Sequence, residues 1–92
     1  MGFQKRVVIE KVVDRIILIT LKADFHSACQ KAYSDNLGTE VSRSTAKEVS
    51  YYIIWGAPPS KIMKALDIDK DAVEKVIDCF WKVFQDHQRY LR

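Results

Sequence analysis

The chain has 92 residues, 48% of them apolar and 29% charged, which suits one folded domain of modest stability and argues against disorder. Only three glycines and two prolines occur, so tight turns are scarce; this disfavours an all-β sandwich and favours long helices. Fifteen basic residues against twelve acidic ones give a net charge of +3, with the signs interspersed, a balance that permits nucleic-acid binding without pointing to it.

The first segment, KRVVIEKVVDRIILITLKA over residues 5–23, is rich in β-branched residues. It reads either as a hairpin turning at Asp14-Arg15 or as a helix. The turn lacks the Asn-Gly or Asp-Gly pair that a tight hairpin wants, so the helix is preferred. On a helix, Val8, Ile9, Val12, Ile16 and Ile19 form a core stripe, and Gln4, Lys11, Arg15 and Lys22 line one flank. Asp24 is placed to cap a second helix carrying Phe25, Cys29, Ala32 and Tyr33 and ending near Gly38. Thr45 and Glu48 have capping-box spacing for a third, which carries Val49, Tyr52, Ile53 and Trp55 and stops at Gly56. Pro59 suits the first position of a short fourth helix, since it lacks the N–H that a first turn leaves unpaired; that helix buries Ile62, Met63 and Leu66. A weaker break falls at Asp67-Ile68-Asp69. Asp69 then caps a fifth helix over about residues 70–90, with Asp71 and Glu74 in its first turns. Its apolar stripe is Val73, Val76, Ile77, Phe80, Val83, Phe84, His87 and Leu91. Trp81 sits at the edge of that stripe. The expectation is an all-α single domain over 1–92: a small bundle of about five helices.

The first helix carries a second stripe. Val7, Ile17, Leu18 and Leu21 lie opposite the core stripe, together with Glu10 and Asp14. A small domain has few elements with which to cover two apolar faces of one helix. The second stripe therefore points to a partner, either another copy of the chain or a target protein, with the carboxylates selecting matching basic groups. The plainer alternative is that a helix of the same domain covers it.

Residues 46–84 have the grammar of a helix-turn-helix and resemble that of the LuxR and Trp-repressor families in apolar spacing. Reading duplex DNA would need cations on and around the second helix of the motif, and Lys61, Lys64, Lys70 and Lys75 are the candidates. Asp69, Asp71, Glu74 and Asp78 oppose that reading, because carboxylates are repelled by phosphates. A three-helix packing unit with no DNA in it stands beside it.

A further resemblance is carried by VIEKVVDRIILITL at residues 8–21, and by KIMKAL at 61–66 followed by VIDCFWKVFQDHQRYL at 76–91. Glu10, the run Ile17-Leu18-Ile19 and Leu21 at one end, and Ile77, Asp78, Phe80, Phe84, Arg89, Tyr90 and Leu91 at the other, resemble the AsiA anti-sigma factors of tailed phages. The resemblance implies an all-helical transcription regulator. Its first helix would serve both a homodimer and a complex with the C-terminal region of the primary sigma factor of RNA polymerase, blocking recognition of the promoter −35 element. It implies Glu10, Ile17, Leu18 and Leu21 as contact residues, and Arg89 as a protein-binding residue of the closing motif. Val7 and Asp14 join them from the helical wheel alone. The alternatives are a dimeric DNA-binding repressor and a structural or assembly protein.

Enzymatic readings find little support. His26 and His87 are far apart in sequence, and His87 falls on an apolar stripe, where a packed, hydrogen-bonded histidine is the plain expectation. No phosphate-cradling glycine loop or metal-ligand spacing is present, so no catalytic residue, metal, cofactor or small-molecule substrate is expected; a zinc site from Cys29, Cys79, His26 and His87 is the remote alternative. Cys29 and Cys79 read as reduced thiols. The N-terminal stretch lacks a signal-peptide pattern, Lys5 and Arg6 spoil a myristoylation motif after Gly2, and the longest apolar run, 16–19, is too short to span a bilayer. The expected location is cytoplasmic, with no membrane partner.

Overall fold

A computed structural model describes residues 2–91, and the side chains of 10–20 and 23–89. Five helices follow in order: α1 (Gly2–Lys22), α2 (Phe25–Leu37), α3 (Arg43–Trp55), α4 (Pro59–Leu66) and α5 (Lys70–His87), closed by a 3-10 turn, Gln88–Leu91. There is no strand among the described residues. The opening segment is a helix and not a hairpin. At about 1.5 Å per residue its 21 residues span roughly 31 Å, close to the longest extent of the molecule, 34 Å; the shortest is 18 Å, the depth of two helix layers.

The ends of the helices are set by local chemistry. Asp24 caps α2 by accepting from the Ser27 N–H at 3.1 Å, and Asp69 caps α5 by accepting from the Ala72 N–H at 2.9 Å. Gly38 and Gly56 end α2 and α3 in the left-handed region, at φ 66° and 70°. Pro59 opens α4 as its first residue. Two boundaries differ from the sequence reading. The cap of α3 is Ser42, whose Oγ accepts from the Thr45 N–H at 3.1 Å, so the helix starts ahead of Thr45. Glu48 does not close a capping box; its carboxylate accepts from the Tyr52 hydroxyl one turn on. At the other end α5 stops at His87 and tightens into the 3-10 turn, a common way for a helix to satisfy its last carbonyls.

Helix α2 is central. It packs on α5 and α3 and is also touched by α1, while α4 lies against both α3 and α5, and α1 runs along the 3-10 turn. Phe25 at the start of α2 meets Phe80 and Phe84 edge to face, with centroids 6.0 and 6.3 Å apart, and Phe80 stacks on Phe84. Such pairs each contribute about 0.5–1.5 kcal/mol beyond their burial. Val12, Ile16 and Ile19 of α1 are buried against this core, as are Cys29, Tyr33, Val49, Ile62, Val73 and Val76. Val8, Ile9 and Leu91, also expected there, lie outside the described side chains. In α3 the buried aliphatic near the C-terminal end is Ile54; Tyr52 and Ile53 are half-buried and Trp55 is exposed.

Candidate functional site

The core stripe of α1 faces inward, and what lies opposite is open. Ile17 and Leu18 are 52% and 51% exposed. Burying a side chain of this kind stabilises by roughly 1.5–3 kcal/mol, so leaving two adjacent ones half in water forgoes on the order of 2 kcal/mol. Glu10 and Asp14 are exposed on the same side of the helix. Asp14 and Leu18 border a shallow depression with Lys11 and Arg15, so the aliphatic stripe carries carboxylates along it and cations on one flank. Val7 and Leu21 lie outside the described side chains. Arg89 is exposed in the 3-10 turn, the element against which α1 packs.

The other flank of α1 was not legible in the sequence. Ile16, Ile17 and Thr20 meet His26 of α2 and Arg43, Lys47 and Tyr51 of α3 around a groove of about 240 Å³. Arg43 reaches back 19 residues to bind the Asp24 carboxylate, through Nη2 at 3.0 Å and Nε at 3.3 Å. That contact, with the bonds from Ser27, holds the Asp24 carboxyl well below the usual range. Both partners are about half exposed, so the pair adds little stability; its structural consequence is to tie the cap of α2 to the first turn of α3. His26 is buried, at 5% exposure, and its Nδ1 has no hydrogen-bond partner. Burial pushes its pKa down, with Arg43 and Lys47 adding to that and Asp24 opposing it.

Lys61, Lys64, Lys70 and Lys75 are all exposed, and Lys61 and Lys75 have different neighbours. The Lys61 ammonium lies 5.9 Å over the Tyr52 ring of α3, whereas Lys75 lines a groove with Asn36 of α2, Asp78 and Lys82. Asp69, Asp71, Glu74 and Asp78 are exposed from the cap of α5 to its middle, so the helix that would enter a DNA groove offers phosphates mixed charge.

No protein-family model, curated protein or solved structure matches the chain.

The histidines and cysteines make no centre. His87 donates from Nδ1 to the Val83 carbonyl at 2.9 Å and packs edge-on against Phe25, as a core histidine does. Cys29 and Cys79 are free thiols, and burial pushes the Cys29 thiol up to about 11, away from the reactive thiolate. Among the described residues no group of three or more His, Cys, Asp or Glu is gathered as a metal site would need. Nor, among them, is any helix long and apolar enough to cross a membrane.

Proposed function

We propose that the chain is a transcription regulator that works by binding protein through the outer face of α1. The observation that carries this reading is the adjacent pair Ile17 and Leu18, each half exposed, on a helix whose opposite face is already committed to the core. A contiguous aliphatic strip edged by carboxylates favours a polypeptide partner with apolar side chains and basic neighbours. Through its resemblance to the phage anti-sigma factors, the partner is the C-terminal region of the primary sigma factor of RNA polymerase, captured in the cytoplasm so that the −35 element is not read. The same face would pair two copies of the chain in its absence.

The test is affinity capture from a bacterial lysate with wild-type and Leu18→Glu baits, read by mass spectrometry. A surface change on a helix that keeps its core stripe leaves the circular dichroism unchanged. The expected result is recovery of sigma or RNA polymerase by the wild type and its loss with Leu18→Glu. Equal recovery by both baits rules out this face. Tight, salt-dependent binding of duplex DNA that falls when Lys70 and Lys75 become Gln, with no sigma recovered, would favour the DNA-binding repressor instead.

A further inference from the structure

The groove beside α1 has the chemistry of an anion site with apolar walls. Ile16 and Ile17 from α1 and Tyr51 from α3 supply apolar surface, and His26, Arg43 and Lys47 bring nitrogen donors from two other helices. No carboxylate is among the residues that line it. Asp24, which precedes His26 by two residues, is already engaged by Arg43 and by Ser27. It takes up the Nε and Nη2 nitrogens of Arg43, which leaves Nη1 with donors to spare. Lys47 has no salt-bridge partner among the described residues. Thr20 donates to the Ile16 carbonyl at 2.8 Å, so its hydroxyl proton is already committed.

The second, independent observation is His26. It is more than nine-tenths buried and its ring lines the groove, and among the described residues nothing pairs its Nδ1, an atom closed off from solvent. An unsatisfied buried polar atom is costly and uncommon in a native fold. An anion seated beside the ring favours the protonated imidazole. The aliphatic walls select against a strongly hydrated anion such as phosphate and for a carboxylate on a short apolar chain. Ile17 belongs both to the groove and to the exposed strip of α1, so a polypeptide seated on α1 passes the mouth of the groove.

We propose that this groove is a carboxylate pocket that receives a glutamate or aspartate side chain, flanked by aliphatic residues, from the polypeptide that docks on α1. The source of the carboxylate rests on the proposed function; the pocket itself does not.

The experiment therefore uses no partner protein. Isotope-labelled full-length chain is titrated with isovalerate, isovaleramide and inorganic phosphate, and with acetyl-Leu-Glu-Leu-amide and its glutamine counterpart. Backbone amides of α1 and α3 and the His26 ring nitrogens are followed by NMR. Isovalerate and the glutamate peptide are expected to shift residues around the groove and move the His26 nitrogens toward the protonated form. The neutral amide and the glutamine peptide are expected to bind at least about tenfold more weakly. Lys47→Gln, at an exposed position, is expected to weaken binding by about the same factor, with Lys47→Arg restoring most of it. Leu18 does not line the groove, so Leu18→Glu is expected to leave the isovalerate titration unchanged, and loss of partner capture and loss of the pocket are separate failures. Equal binding of acid and amide, tighter binding of phosphate, or indifference to Lys47→Gln would overturn the pocket. Binding of isovalerate without the glutamate peptide would overturn a polypeptide as its occupant.

Discussion

Tyr33 and Ser50 form a buried side-chain hydrogen bond that joins α2 to α3, at 2.8 Å. Ser50 spends its single proton on the Ala46 carbonyl, also at 2.8 Å, so the Tyr33 hydroxyl is the donor between them. Burial holds the Tyr33 phenol protonated, far above its ordinary range. The two halves of the pair are consequently unequal. Ser50→Ala strands a buried hydroxyl donor and is expected to cost about 1–3 kcal/mol, whereas Tyr33→Phe removes the donor itself and is expected to cost about 0.5–1.5 kcal/mol. The double variant should lie close to Tyr33→Phe alone, since nothing remains to be left unpaired. Urea denaturation of the three variants checks this ordering; equal costs for the single variants would show that the hydroxyl finds another partner. Tyr33 could be read as part of the second helix, but its pairing with Ser50 could not, because a contact across 17 residues leaves no periodic trace.

At the scale of elements, local chemistry made much of the chain readable. The stripe Val73, Val76, Phe80 and Phe84 of α5 is buried as its 3.6-residue spacing predicts, and Asp24, Gly56, Pro59 and Asp69 act as the punctuation their types suggest. The miss at the start of α3 came from two hydroxyl residues competing for one role. Ser42 sits in extended backbone, φ −71° and ψ 156°, where its oxygen can reach the Thr45 N–H, while Thr45 is already inside the helix. The turn from α4 to α5 holds the chain's clearest local strain. Asp67 adopts φ 54°, a region that suits glycine, because the helix ends by directing the Asp67 and Ile68 N–H groups onto the Met63 carbonyl. Asp67→Gly is expected to hold stability or raise it by up to about 1 kcal/mol, and Asp67→Val to lower it by at least about 1 kcal/mol. Thermal melts of the two variants decide the matter; a β-branched residue tolerated at no cost would mean that the turn relaxes.

Over the whole molecule, the two sides of α1 differ in how far they could be read. That α1 carries more aliphatic surface than one core face can absorb follows from counting positions on a single helix, and Ile17 and Leu18 are open in the folded chain. The groove next to them was invisible for the opposite reason: His26 comes from α2 and Arg43 and Lys47 from α3, and they meet the side of α1 only when the helices pack. Likewise, the basic residues of the helix-turn-helix reading looked grouped along the chain, but Lys61 and Lys75 sit against different neighbours once α4 and α5 pack. The most direct measurement is sedimentation equilibrium of wild-type and Leu18→Glu chains across a concentration series, alone and mixed with the purified C-terminal region of the primary sigma factor. The wild type is expected to self-associate when alone and to form an equimolar complex in the mixture, while Leu18→Glu stays monomeric in both with unchanged circular dichroism. A wild type that remains monomeric at every concentration and ignores sigma, or a variant that associates as the wild type does, would contradict that expectation.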